Sequence, residues 1–174
     1  MGRCYEQYPL WIVFLSNLVS IATYALGGYI IYQLGPVWLA LYLLYILLLE
    51  VRVMSGSCPN CYYFGRLCAF GKGRLSAIFF RKGNAQAFAQ KQIAWKDILP
   101  DFLVSLIPLL AGIILLIMDF NFMIFSSVVL LAVLATAGSG FIRGSLACKH
   151  CRQREIGCPA EKLFRKANKT PSSS

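Results

Sequence analysis

The stretch YIIYQLGPVWLALYLL, residues 29–44, places a glycine and a proline in the middle of an otherwise apolar run. Because glycine often ends a helix and proline often starts one, Gln33–Pro36 predicts a hairpin tip between two helices. The run around this tip, from Gln7 to Leu49, contains no charged residue. A helix needs about 20 apolar residues to cross a bilayer, so this block is long enough for two spans.

A second apolar block runs from Phe102 to Ile142 and is interrupted only by Asp119. Asp119 and Asn121 are suited to a turn, and Asn121 is also suited to cap the helix that follows. This block is again long enough for two spans. The two blocks together predict transmembrane helices at residues 9–32, 36–54, 99–118 and 121–142.

The composition excludes two alternatives to a multi-pass membrane protein. Hydrophobic residues make up 58% of the 174 residues, and the mean hydropathy is +0.63. The first block is too long for a cleaved signal peptide, which would have a basic n-region and a short apolar region. Polar residues do not recur at the helical spacing of a soluble helical core. The predicted fold class is therefore an all-α integral membrane protein with four transmembrane helices.

The distribution of the 17 Lys and Arg residues predicts the orientation. Arg3 precedes the first span, eight basic residues lie between Arg52 and Lys96, and eight lie between Arg143 and Lys169. Neither hairpin tip contains one, so the positive-inside rule places both termini and the central loop in the cytoplasm. Insertion accounts for the net charge of +10. The bilayer and its anionic lipid head groups are therefore predicted partners, and nucleic acid is not.

A cysteine motif follows each pair of spans. CPNCYYFGRLC occupies residues 58–68 and CKHCRQREIGC occupies residues 148–158, and both have C-x2-C-x6-C spacing. A basic segment follows each motif, and FRKGN at residues 80–84 is echoed by FRKAN at residues 164–168. Because each copy has an even number of spans, we predict two parallel repeats related by an axis along the membrane normal.

The repeats define the predicted domain organisation. Repeat 1 comprises residues 1–98 and includes a basic interfacial linker at 70–98, with a helix capped by Asn84. Repeat 2 comprises residues 99–168, and a disordered tail follows at 169–174. Each repeat thus consists of two transmembrane helices and a cytoplasmic, cysteine-rich segment.

The thiols of both motifs predict a metal site. Structural disulfides are unusual in the reducing cytoplasm. Two thiolates at C-x2-C spacing can face one side of a tight turn, which suits a soft or borderline metal ion. The predicted ligands are Cys58, Cys61, Cys68, Cys148, Cys151 and Cys158, with His150 as a further candidate.

Three arrangements of these ligands are open. Six thiolates make one zinc cluster, or the two C-x2-C pairs make one tetrahedral zinc site, or the thiols hold one or two iron–sulfur clusters. Zinc, as one or two ions, is favoured because the chain contains no ferredoxin-like C-x2-C-x2-C run.

The doubled spacing resembles the ligand pattern of the binuclear zinc-cluster domains of fungal transcription factors. In that family, two related halves share six thiolates between two zinc ions, which implies Cys58 and Cys148 as the bridging pair here. The resemblance covers only the six cysteines and the basic residues within the second motif. The chain departs from the family because residues 69–147, 79 residues that include two spans, separate the halves. The resemblance therefore implies a ligand geometry and does not carry over DNA binding.

The sequence contains few groups for acid–base or nucleophilic catalysis. Its one histidine, His150, lies within a cysteine motif, so no nucleophile–histidine–acid set can be proposed. Gly65–Gly73 does not match a phosphate loop, because the spacing is one residue too long and no Ser or Thr follows. We therefore predict a metal-binding scaffold or partner-binding module rather than an enzyme.

Two other functions fit the same residues. The alternative is a membrane redox protein in which iron–sulfur clusters pass electrons to a quinone or a partner, which would make it an oxidoreductase. The third is the handling or transport of soft metal ions. A homodimer or a partner within a membrane complex is also compatible with four short spans.

Several residues predict how the helices pack. Pro108 leaves a backbone carbonyl without its helical partner, and residues 132, 136, 140 and 144 form a face of small residues. Charged residues near the cytoplasmic ends of the spans are predicted to form ion pairs; these are Glu50, Arg52, Asp101 and Arg143. Ser16, Asn17, Ser20 and Thr23 are polar residues of span one that can form hydrogen bonds between helices. Cys4 is either a lipidation site or a buried thiol.

Overall fold

The computed structural model describes residues 4–84, 95–153 and 157 of the chain. Its helices are α1 (Leu10–Tyr32), α2 (Pro36–Gly56), α3 (Lys72–Phe79), α4 (Trp95–Met118) and α5 (Phe122–Val133). Among these residues, four helical segments are long and apolar enough to cross a membrane: Leu10–Tyr32, Pro36–Asn60, Leu99–Met118 and Phe122–His150. The four predicted spans are confirmed, and the chain is a multi-pass integral membrane protein.

Both predicted hairpin tips are present. Gly35 has a backbone φ of 130°, which glycine adopts without strain, and Pro36 is the first residue of α2. Asn121 caps α5, because its side-chain oxygen accepts a hydrogen bond of 2.9 Å from the backbone N–H of Met123. Local residue chemistry therefore determines where each hairpin turns.

The first three spans meet around Pro108. Proline has no N–H, so the carbonyl of Val104, four residues earlier in α4, lacks its helical donor. The hydroxyl of Tyr42 in α2 donates to that carbonyl at 2.9 Å. Tyr42 and Val104 are each 5% exposed, so the hydrogen bond replaces a partner that neither water nor the helix can supply.

A glycine allows this close approach. A side chain at Gly27 of α1 would collide with the hydroxyl of Tyr42 and come within 3.1 Å of Cγ of Pro108. Gly112, one turn after Pro108 in α4, has the corresponding role, because an added methyl group there would collide with Val128 and crowd Ile30. Glycines in α1 and α4 thus bring the helices together.

The fourth span is longer and less regular than predicted. Beyond α5 it continues through two π-helical segments, Leu134–Gly138 and Ile142–Ala147, to the second cysteine motif. Its contact with α1 includes Gly138, which lies against Val19. Gly140 and Gly144 of the predicted small-residue face are exposed, and a methyl group at either would meet open space.

The polar residues of α1 mostly bond within their own helix. The hydroxyls of Ser20 and Thr23 donate to the carbonyls four residues earlier, which is a common arrangement for hydroxyl side chains in helices. Asn17 is the exception, because its amide also donates at 3.3 Å to the carbonyl of Phe70, in the loop after the first cysteine motif. The sequence predicts hydrogen bonds between helices, whereas the contact that Asn17 makes outside α1 is with a loop.

Substitution of Tyr42 by Phe tests the contact at Pro108. The change removes the hydroxyl and leaves the Val104 carbonyl buried without a donor, so unfolding should become easier by about 1–3 kcal/mol. Thermal or denaturant unfolding of the purified protein in detergent measures this. Tyr32→Phe is the matched control, because Tyr32 is 55% exposed. Equal stability of the two variants would contradict a structural role for the Tyr42 hydroxyl.

Candidate functional site

The two C-x2-C pairs have the same local backbone geometry. Cys58–Asn60 and Cys148–His150 each form one 3-10 turn at the end of a membrane span. In each turn the second cysteine donates its backbone N–H to the carbonyl of the first, at 3.2 Å for Cys61 and 3.4 Å for Cys151. The second cysteine is extended in both copies. Equal spacing therefore produces equal turns, although the two spans that precede them differ in sequence.

The third cysteine of the first motif is held by the loop that leads into α3. The Sγ atom of Cys68 accepts a hydrogen bond of 3.4 Å from the backbone N–H of Gly73, and its carbonyl accepts one of 2.9 Å from Gly71. Gly71 has a φ of 70°, a left-handed conformation that favours glycine. The loop thus holds Cys68 beside the start of α3.

Reciprocal hydrogen bonds join the two motifs. The backbone N–H of Tyr62 donates to Oε1 of Gln153 at 2.8 Å, and the backbone N–H of Arg152 donates to the hydroxyl of Tyr63 at 3.0 Å. Tyr62 and Arg152 are the residues that follow the second cysteine of each motif, and Tyr63 and Gln153 come next. The same two positions of each motif therefore exchange the same kind of bond, from a backbone N–H to a side-chain oxygen.

Arg152 and Tyr62 are also in direct contact with each other. The guanidinium of Arg152 lies 5.5 Å from the centroid of the Tyr62 ring, within the range of a cation–π interaction. Gln153 is 2% exposed and its amide also donates at 3.3 Å to the carbonyl of Gly157. Because both the oxygen and the nitrogen of the buried Gln153 amide form hydrogen bonds, this side chain favours one relative position of the two motifs.

The N-terminal segment before α1 lies between the motifs. The backbone N–H of Tyr5 donates to the carbonyl of His150 at 3.0 Å, and that of Tyr8 donates to the carbonyl of Leu67 at 3.0 Å. The hydroxyl of Tyr63 donates to the carbonyl of Tyr5 at 2.7 Å. One short segment thus bonds to both motifs.

Side chains of this segment complete the junction. The hydroxyl of Tyr8 donates to the carbonyl of Ala147, and Glu6 forms an ion pair of 2.7 Å with Arg152. Sequence reasoning missed the segment. The two tyrosines in YEQY, directly before an apolar span, could have indicated it, since buried tyrosines use their hydroxyls to bond polar groups.

A small core surrounds these contacts at the motif end of the helices. Its buried residues are Tyr8, Ile12, Tyr63, Ala69 and Ala147, and Cys61, Cys68 and Cys151 pack against it. Burial, with a smaller contribution from the Cys151 thiol, raises the pKa of Tyr63 to about 12. Burial also raises the pKa of Tyr8, with the thiols of Cys151 and Cys148 adding to it. Both phenols are neutral at physiological pH already at their ordinary pKa, and burial makes their ionisation less favourable still.

An ion pair attaches α3 to the second span. Lys72, the first residue of α3, lies 2.6 Å from Oε2 of Glu50, and the hydroxyl of Tyr24 donates to Oε1 of Glu50 at 2.9 Å. The prediction that Glu50 forms an ion pair at the end of its span is confirmed. Its partner Lys72, at the start of α3, is a residue that the sequence analysis did not select.

The predicted metal ligands are divided between the described residues and the rest of the chain. Cys158 lies outside the described residues, as does most of the linker helix predicted after Asn84. Within residues 4–84, 95–153 and 157, no group of three or more His, Cys, Asp or Glu side chains has the geometry to hold a metal ion. The ring of His150 lies 5.0 Å from that of Tyr5, and the thiol of Cys4 lies 4.0 Å from the carbonyl of Cys151. Metal binding therefore stays a prediction.

Comparison with known proteins gives the chain no relatives from which a function could be carried over: no protein-family model, curated protein or solved structure matches it. The fold and the paired motifs define the chain as a multi-pass membrane protein with a cysteine-rich junction at one end of its helices.

Hydrogen exchange tests the reciprocal bonds. In Gln153→Ala the amide of Tyr62 loses its acceptor, and in Tyr63→Phe the amide of Arg152 loses its acceptor. Each bond contributes on the order of 1 kcal/mol, so exchange of the affected amide should become roughly 5–10 times faster. Lys149→Ala is the control, because Lys149 is an exposed residue of the same motif. Unchanged exchange at Tyr62 and Arg152 in the respective variants would contradict the reciprocal arrangement.

Proposed function

We propose that the protein is a membrane scaffold in which the paired cysteine motifs bind thiophilic metal ions, with zinc favoured. The observation that carries the proposal is the reciprocal pair of hydrogen bonds between Tyr62 and Gln153 and between Arg152 and Tyr63. These bonds hold two C-x2-C turns of equal geometry against each other. Repeated turns of this kind at the ends of membrane spans would be redundant for anchoring alone, whereas each of them presents thiols for a metal ion.

The backbone around the thiols supports this chemistry. A 3-10 turn with an N–H bond back to the first cysteine brings two thiol-bearing residues close together in each motif. The backbone N–H of Gly73 donates to the Sγ of Cys68 at 3.4 Å, which fixes the position of that sulfur in the loop. Cys58, Cys61 and Cys68 would supply three thiolates in the first motif, and Cys148, Cys151 and Cys158 would supply three in the second.

The residues between the motifs favour separate ions over a shared cluster. Tyr8 and Tyr63 are 3% and 2% exposed, and their ring centroids lie 5.4 Å apart. Cys61 and Cys151 both pack against the core that contains these two rings. Because both rings belong to this core, we expect each motif to bind its own ion. Three thiolates per motif leave the fourth position of a tetrahedral ion to another ligand, for which His150 is a candidate in the second motif.

We expect the scaffold to have its cysteine junction in the cytoplasm. All 17 basic residues lie outside the two hairpin tips, and basic loops remain on the cytoplasmic side during insertion. The reducing cytoplasm would keep the thiols available for a metal. A junction there could then present a rigid surface to a partner in the same membrane or in the cytoplasm.

Elemental analysis of the protein purified without oxygen tests metal binding. Two zinc ions per chain are expected, with one lost in Cys58→Ser and the other in Cys148→Ser. Cys4→Ser is the control and should retain both. Less than one metal ion per chain in the unsubstituted protein would refute the proposal. Loss of all metal in either single variant would instead show a shared cluster, and iron with acid-labile sulfide would assign the site to redox chemistry.

Labelling with a membrane-impermeant thiol reagent tests the orientation. All seven native cysteines lie outside the hairpin tips, so the unsubstituted protein should be labelled only after the cells are permeabilised. Leu34→Cys adds a thiol to the first tip and should be labelled in intact cells. Labelling of the unsubstituted protein in intact cells would show that the cysteine junction faces outwards.

A further inference from the structure

A cleft of about 150 Å³ opens beside the first cysteine motif and is lined by Cys61, Tyr62, Phe64, Arg66, Lys82 and Gly83. Two of its six lining residues are basic. Among the residues that the structure describes, ion pairs join Lys72 to Glu50 and Arg152 to Glu6. Neither pair involves Arg66 or Lys82. The cleft therefore carries two positive charges that no described carboxylate neutralises.

Both basic side chains are placed by the fold. Arg66 donates to the hydroxyl of Tyr62 at 2.9 Å, and its guanidinium lies 5.2 Å from the centroid of the Tyr62 ring. A guanidinium has five N–H donors, so one bond to Tyr62 leaves others for a ligand. Tyr62 thus fixes the position of the Arg66 guanidinium, and the other N–H donors of the guanidinium are available to a ligand.

Lys82 is placed through the backbone around it. The N–H of Gly83 donates to the carbonyl of Pro59 at 2.9 Å, and the N–H of Asn84 donates to Oδ1 of Asn60 at 3.0 Å. A side chain at Gly83 would collide with Oδ1 of Asn60. Glycine at this position therefore allows residues 81–84 to lie against the first cysteine turn, with Lys82 over the cleft.

Helix α3 indicates that the cleft lies at the level of lipid head groups. Leu75, Ile78 and Phe79 on α3 are 46%, 73% and 70% exposed. The opposite side of α3 is packed, because the hydroxyl of buried Ser76 donates at 3.1 Å to the carbonyl of Met54 at the end of the second span. A short helix with an exposed apolar face at the end of a membrane span is typical of the membrane interface. Residues 81–84 follow directly after α3.

We propose that this cleft binds a phosphate group, and that an anionic phospholipid head group supplies it. Arg and Lys donors recognise phosphate oxygens by charge-assisted hydrogen bonds. The apolar faces of Tyr62 and Phe64 suit the glycerol and the upper acyl chain, since aromatic side chains concentrate at this level of the bilayer. Contact with head groups would then be made at a defined site as well as by general attraction to the basic surface. The inference does not rest on metal binding.

Native mass spectrometry of the full-length protein in neutral detergent tests this site. Phosphatidylglycerol is expected to bind at one site more tightly than phosphatidylcholine, which has the same phosphate but no net charge. In Arg66→Gln/Lys82→Gln the apparent affinity should fall on the order of tenfold or more, because about 1 kcal/mol is lost for each basic contact. Arg74→Gln/Arg81→Gln removes the same charge from exposed positions nearby and should leave the affinity within about threefold.

Gly83→Ala separates geometry from charge. It retains every basic residue but displaces residues 81–84 from Asn60, so it should also weaken phosphatidylglycerol binding while circular dichroism shows unchanged helix content. Equal losses in the two double variants would overturn the proposal in favour of general attraction. Equal binding of phosphatidylcholine, or full binding in Gly83→Ala, would also overturn it. Inorganic phosphate should not displace the lipid at equal concentration; if it does, the lipid is not the source of the phosphate.

Discussion

The hydrocarbon interior of a membrane requires every backbone polar group to find a partner within the protein, and the fold depends on that constraint. Four helices satisfy it almost everywhere. At Pro108 the helix has no N–H to donate to the Val104 carbonyl, and the Tyr42 hydroxyl supplies the missing donor at 2.9 Å. Gly27 leaves room for this contact, so the constraint also determines how closely the first three spans approach. Because the spans form two hairpins, both cysteine motifs emerge at the same end of the helices.

Outside the helices the cysteine motifs use a different kind of contact. Their backbones leave polar groups near a buried core, and Tyr63, Gln153 and the N-terminal segment satisfy those groups. The bonds cross between motifs that are 90 residues apart in the chain. Membrane insertion brings the motifs to one end, and these bonds then set their relative position. The proposed metal ions would reinforce a junction that protein contacts have already arranged.

Much of the fold could be predicted because its signals are local. Apolar length predicts spans, Gly35 and Pro36 predict one tip, and Asn121 predicts the other. The fourth span was predicted to end at residue 142 but continues to the second motif, because charged and small residues such as Arg143 and Gly144 do not break a helix by themselves. The candidate ligands were likewise visible as a spacing, although a spacing does not show which sulfurs meet.

The sequence by itself determined the membrane class, the number of spans, the positions of the tips and the equal turns at the two cysteine pairs, because each depends on residues that are neighbours in the chain. Only the tertiary structure decided that Glu50 pairs with Lys72, that Tyr5 and Tyr8 lie between the motifs, and that Gly83 brings Lys82 to a cleft. Those contacts join segments far apart in sequence. Their partners are chosen by which donors and acceptors remain unsatisfied once the helices have packed.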